Sequence, residues 1–110
     1  AVHVTGHGWR KLMRASQALR YVVTALPAVP PVLAYLVQAS GMSVTESYGT
    51  FNMGAGFAFF VAPASVPRAL ALAEGLGFEL SDRGRVEAGS RAVVLEPLGL
   101  TFEGDTLAIR

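Results

Sequence analysis

Apolar and polar positions along this chain follow two periods in alternating blocks, and the blocks place its elements. Val2 to Thr5 alternates as a strand does and runs into a glycine-punctuated turn, Gly6-His7-Gly8. Beyond the turn Trp9, Leu12, Met13 and Ser16 recur at helical spacing, so the order predicted is strand, loop, helix. Leu19 to Leu26 is rich in β-branched and aromatic residues and reads as a strand, closed by Pro27, Pro30 and Pro31. Pro31 suits the first turn of a helix, where its missing N–H costs nothing. Val32, Leu33, Leu36 and Val37 then give an apolar stripe as far as Gly41. Ser43 with Glu46 three residues on forms a capping-box pattern, which predicts a short helix from Val44 to Tyr48.

The stretch from Phe51 to Ala62 is a glycine-containing approach followed by a nearly continuous apolar run, the pattern of a central strand covered on both faces. Pro63 to Gly75 reads as a helix with Val66, Leu70 and Ala73 aligned, stopped by Gly75 and Gly77. From Phe78 the period shortens to two, predicting strands over 79–86 and 90–95 joined as a hairpin by Glu87-Ala88-Gly89. The tail, Leu100 to Arg110, reads as a smaller hairpin or edge extension turning at Gly104-Asp105. Helices interleaved with strands, some locally paired, predict an α/β, or α+β layered, fold. Its mixed β-sheet is packed with helices in a single domain over 1–110.

Composition sharpens this picture. Of the 110 residues, 52% are apolar and 15% charged, which excludes disorder and implies that something beyond this domain covers part of its apolar surface. The net charge of +1 gives no general footprint for nucleic acid or an anionic membrane. With no cysteine there is no disulfide framework, thiolate zinc site or cysteine nucleophile. The opening residues lack the apolar run of a signal peptide, and no run is long enough to cross a membrane, so a cytoplasmic location is expected.

Two segments carry candidate chemistry. A glycine turn ahead of a helix directs backbone N–H groups at a positive dipole end, which suits a phosphate; two glycines also describe a plain tight turn. Arg10, Lys11 and Arg14 follow, and Arg10 and Arg14, four apart, share one side of an α-helix. They either reach a ligand phosphate or form a solvated basic face. His3 and His7 are the only histidines, and without cysteine or clustered carboxylates they make a poor metal site. His3 is placed to move a proton near neutral pH or to bond the loop backbone, and His7 to aim its ring at a phosphate. The second segment, Tyr48-Gly49-Thr50-Phe51-Asn52-Met53-Gly54-Ala55-Gly56, sets an amide side chain between glycine turns. Asn52, like Thr50 and Tyr48, either bonds substrate or locks the loop. No residue is assigned a catalytic role, and ligands for ATP-bound Mg²⁺ would have to come from elsewhere.

Taken in order, HVTGHG with Arg14 in the next helix, YGTFNMGAGFAFFV, PRALALAEGLG and GRVEAGSRAVVLE resemble the C-terminal half of the aminoimidazole ribonucleotide synthetase (phosphoribosylformylglycinamidine cyclo-ligase) family over residues 1–96. The family stretches read H-I-T-G-G-G and Y-R-T-F-N-M-G. His3, Thr5, Gly6, Gly8, Thr50, Phe51, Asn52, Met53 and Gly54 therefore correspond directly, and Arg14 matches a family arginine. The resemblance implies a C-terminal α/β domain facing an N-terminal ATP-binding domain, which binds most of the ATP and Mg²⁺ and makes a homodimer. Substrate lies between the two domains, and the piece alone is inactive. The implied reaction phosphorylates the amide oxygen of formylglycinamidine ribonucleotide, an internal nitrogen attacks, and an imidazole ring closes as ADP and phosphate leave. Gly6 to Gly8 would hold the substrate phosphate, Arg14 would balance charge, and Asn52 would order the cleft loop. Three departures bear on the substrate: His7 stands at the middle glycine, Arg10-Lys11 replaces a Glu-Asn pair, and a tail follows Glu96. The alternatives are another ATP-using superfamily member (thiamine monophosphate kinase, selenophosphate synthetase or a hydrogenase-maturation factor) and a non-catalytic binding or dimerising domain. The YGTFNMG segment favours the cyclo-ligase.

Overall fold

The computed structural model describes residues 1–14 and 18–104. Its centre is a four-stranded mixed sheet built from β2 (Leu19–Val23), β4 (Gly84–Ala88), β5 (Ala92–Leu95) and β6 (Leu100–Glu103), in the order β4-β2-β5-β6. β2 runs parallel to β5 and antiparallel to β4, and β6 returns antiparallel along β5. A separate two-stranded ribbon joins β1 (Val2–His3) to β3 (Phe57–Ala58). The predicted α+β fold with mixed strand direction is the fold observed.

One face of the sheet forms the core. Tyr21 and Val23 from β2, Val93 and Leu95 from β5 and Phe102 from β6 pack with Trp9, Leu12 and Met13 from a 3₁₀ helix, Gly8–Arg14. Val4, Tyr48 and Met53 complete this cluster, so the two segments that carry candidate chemistry are anchored in the same core. The apolar stripe through Trp9, Leu12 and Met13 is buried as read, on a 3₁₀ helix; Ser16 lies outside the described residues.

Three further helices follow the sequence signals closely. α1 (Pro31–Ser40) begins on its proline and ends at Gly41, whose φ of 71° is left-handed. α2 (Val44–Tyr48) has the full capping box: Ser43 Oγ accepts from the Glu46 N–H, and the Glu46 carboxylate accepts from the Ser43 N–H. α3 (Val66–Gly75) continues a 3₁₀ turn at Pro63–Ser65.

Two predicted pairings are corrected. The apolar stretch Phe51–Ala62 is not the central strand: only Phe57–Ala58 is extended into a ladder, and Phe57, Phe59 and Phe60 are exposed. The central positions belong to β2 and β5, whose parallel pairing local periodicity does not report. The strands read at 79–86 and 90–95 do not form a hairpin, because β2 lies between β4 and β5. β4 also starts later, at Gly84, and continues through Glu87 and Ala88, where the sequence predicts the turn. The stripes of α1 and α3 bury no residue fully; Val37 packs partly against the core. In the tail, β6 is present, and residues 105–110 lie outside the described residues.

Candidate functional site

The two glycine-bearing segments meet. β1 pairs with β3, so His3 sits opposite Phe57, and the ladder continues as the Val4 N–H donates to Gly56 O at 2.8 Å. The chain then reverses through a β-turn, Thr5-Gly6-His7-Gly8, closed by the Gly8 N–H on Thr5 O at 2.6 Å. Gly8 has φ +57°, and an added Cβ would collide with the backbone of Tyr48, Gly49 and Thr50. Only glycine lets the two loops touch here. Gly6, by contrast, is exposed, with nothing within 4 Å of a Cβ position.

Arg10 clamps the contact. Its guanidinium donates to Gly49 O at 2.7 Å and its Nε to His7 O at 3.3 Å, joining residues 39 apart in sequence. Trp9 adds a second bolt: its indole N–H donates to Asn52 O at 2.8 Å, and its ring packs at a tilt on Tyr48. Burial pushes the Tyr48 phenol above its ordinary pKa, so it remains a neutral packing group.

Lys11 reaches back to the turn, where its ammonium donates to Thr5 Oγ1 at 2.8 Å. Arg14 is exposed at the far end of the helix. The expectation that Arg10 and Arg14 share a side is corrected. A 3₁₀ helix has about three residues per turn, so Lys11 stacks over Arg14 while Arg10 turns inward to Gly49.

In the second segment Asn52 folds on itself: Oδ1 accepts from the Gly54 N–H at 2.9 Å, an Asx turn that locks the loop. Met53 is buried at φ 48°, and Gly54 at φ 101° lies so close to Ala28 O and Pro30 that a Cβ would meet the carbonyl at 2.5 Å. Thr50 is exposed beside this loop. His3 is also exposed, and its ring stacks on Phe57 with centroids 4.5 Å apart and planes 11° apart.

The structure thus sets Gly8 of the turn against Tyr48, Gly49 and Thr50, and ties Asn52 to Trp9 and His3 to Phe57; Gly54 packs instead on Ala28 and Pro30, Gly6 is open, and Arg14 lies apart at the end of the helix. Sequence reading missed the Arg10 clamp and the Lys11–Thr5 contact. The only signal for either was the basic pair itself, whose direction depends on the helix being 3₁₀. His7 occupies a turn position without positive φ, so the turn does not need glycine there. Among the described residues no three His, Asp or Glu side chains gather to hold a metal ion. Nor does any described helix have the length and apolarity to cross a membrane.

No family model matches the chain. The phosphoribosylformylglycinamidine cyclo-ligase of Methanothermobacter thermautotrophicus is 36% identical over 86 residues, 74% of this chain and 25% of that protein. Those of Methanococcus vannielii and Myxococcus xanthus are 37% and 34% identical over 54% and 62% of this chain. The chain spans between 17% and 25% of the length of these relatives. By sequence, then, the chain is similar, over 54–74% of its length, to a part of the phosphoribosylformylglycinamidine cyclo-ligases.

Proposed function

We propose that the chain is the C-terminal, phosphorylated-substrate-binding domain of an ATP-dependent cyclo-ligase that converts formylglycinamidine ribonucleotide to aminoimidazole ribonucleotide in cytoplasmic purine biosynthesis. The observation that carries this reading is the Arg10 clamp, which holds the Thr5–Gly8 turn against the Gly49–Gly54 loop. An exposed turn with a lysine at its edge, held rigid by a second loop, suits a small phosphorylated ligand. Lys11 and the Gly6-His7 backbone take the phosphate in this reading, Arg14 adds charge from the next turn, and Asn52 keeps the facing loop in shape. His3 and Thr50 border the ligand. ATP and Mg²⁺ are bound mainly by an N-terminal ATP-binding domain, which also forms the homodimer. ATP supplies the phosphoryl group that activates the amide oxygen; this chain's part is to bind and orient the nucleotide being closed.

The test is a chimera in which this chain replaces the matching quarter of the Methanothermobacter thermautotrophicus relative, assayed for ADP release and ring formation. Ring closure by the chimera, its loss in Lys11→Met, and no turnover by the 110-residue chain alone are expected. A folded chimera that hydrolyses ATP without closing the ring contradicts the substrate assignment. Turnover by the chain alone contradicts the division of labour.

A further inference from the structure

Every residue of β4 is exposed, although the strand belongs to the main sheet. β2 pairs with one of its edges, and among the described residues no strand pairs with the other. An open edge of this kind is a template for another strand, and proteins commonly block it with a proline, a bulge or a lysine. β4 contains neither proline nor lysine, and its register with β2 runs through the whole strand without a bulge.

The backbone groups left on that edge follow from the ladder. The Thr24 N–H donates to Arg83 O at 2.8 Å, so Arg83, Arg85 and Glu87 bond toward β2. Gly84, Val86 and Ala88 alternate with them and turn their backbone groups outward. The Gly84 N–H accordingly donates to Asp82 Oδ1, at 3.3 Å, rather than to β2. On the core face, Val86 ends an apolar row that crosses the sheet from Phe102 through Val93 and Tyr21. Those three are buried and Val86 is 40% exposed, so the row stops half-covered at the open edge. Arg85 and Glu87 share the opposite face, 3.1 Å apart, with Glu96 at 3.8 Å from Arg85.

A strand reading Arg-Val-Glu is complementary to itself when two copies run antiparallel. With the two-fold axis on Val86, each Arg85 falls opposite the partner's Glu87, in the non-hydrogen-bonded positions where facing side chains come closest. Val86 then exchanges both backbone bonds with the partner's Val86, and the apolar row continues into the second sheet. Moving the axis by one residue sets Arg85 against the partner's Arg85, or Glu87 against the partner's Glu87, so charge selects a single register.

We infer that the free edge of β4 is a self-association surface whose occupant is β4 of a second copy, joining the two sheets antiparallel about an axis at Val86. The contact is small and its ion pairs are exposed, so the dimer is weak and reversible. It uses residues of this chain alone and is separate from the homodimer contact proposed above for an N-terminal domain.

The experiment follows the 110-residue chain by sedimentation equilibrium from micromolar to millimolar concentration. A monomer–dimer equilibrium is expected, with amide exchange at Val86 slowing as concentration rises. Glu87→Arg and Arg85→Glu each set like charges opposite one another and weaken the dimer about tenfold. Both side chains are about half exposed, so circular dichroism and thermal unfolding of each variant stay close to those of the unchanged chain. Two results are specific to this register. The double variant Arg85→Glu/Glu87→Arg dimerises again, and an equimolar mixture of the two single variants forms a heterodimer at least as tight as the original. A monomer at every concentration overturns the proposal. A dimer indifferent to the single changes, or one that the double variant or the mixture fails to restore, places the contact elsewhere and overturns it as well.

Discussion

Tyr21 is 3% exposed, and its hydroxyl has no hydrogen-bond partner among the described residues. Burial pushes its pKa up from 10.0, and the Arg91 charge pulls it partly back. A buried hydroxyl without a partner lowers stability by about 1 kcal/mol or more, so Tyr21→Phe should raise the unfolding free energy measured in urea by roughly that amount. The pH dependence has a definite sign. A phenol whose folded pKa is raised holds its proton while the unfolded chain has released it, so stability falls as pH rises above 10.0. Tyr48 adds to the same decline. Alkaline unfolding should therefore be shallower in Tyr21→Phe, as circular dichroism across that range would show; an unchanged profile would mean that Tyr21 does not contribute. At Gly8 a methyl group collides with the facing backbone and the φ is left-handed, so Gly8→Ala should cost roughly 2–4 kcal/mol, against little for Gly6→Ala. Comparable denaturation midpoints for the two variants would contradict the close loop contact.

At the level of elements, the Asx turn of Asn52 and the capping box of Ser43 make separable predictions. Ser43→Ala should lower stability by about 1 kcal/mol, read from chemical denaturation, because the first turn of α2 loses its side-chain acceptor. Asn52→Ala should cost about 1 kcal/mol of stability and weaken phosphate binding more than that; equal losses would assign the residue to structure alone. Signals confined to a few residues, such as Pro31, Gly41 and Ser43-Glu46, were legible because the physics that fixes them is local. The 3₁₀ form of Gly8–Arg14 was not, since the three-residue spacing of Trp9 and Leu12 suits either helix. The parallel β2–β5 pairing was not legible either. It joins Arg20 to Ala92 across most of the chain, whereas the continuous apolar run at Phe57–Val61 looked more central than it is. In the site, His3 to Gly8 and Tyr48 to Gly56 stood out by their glycines. That they touch, and that Arg10 joins them, is a property of the fold.

Across the whole molecule, charge is sparse along one long apolar stretch. Residues 21–67 carry a single charged side chain, Glu46, and within them α1 is apolar nearly all round, with Val32, Tyr35 and Leu36 exposed. A helix of that composition is ordinarily covered on every side, which supports the reading of the chain as part of a larger protein. α3 ends in the same way: Leu76 is 72% and Phe78 69% exposed, and an open hollow of about 390 Å³ lies between Leu70, Phe78 and Leu80. That hollow is lined by neither glycine loop. Leu76→Lys with Phe78→Ser should change stability by less than about 0.5 kcal/mol and reduce binding of a hydrophobic dye. The central claim, that the two loops form one phosphate site, is tested most directly by titrating the chain with ribose 5-phosphate while following its backbone amide resonances. The account predicts coupled shifts at Gly6, His7, Gly49 and Thr50, abolished in Lys11→Met with the fold intact. Shifts confined to one loop, or centred on the hollow at α3, would contradict it.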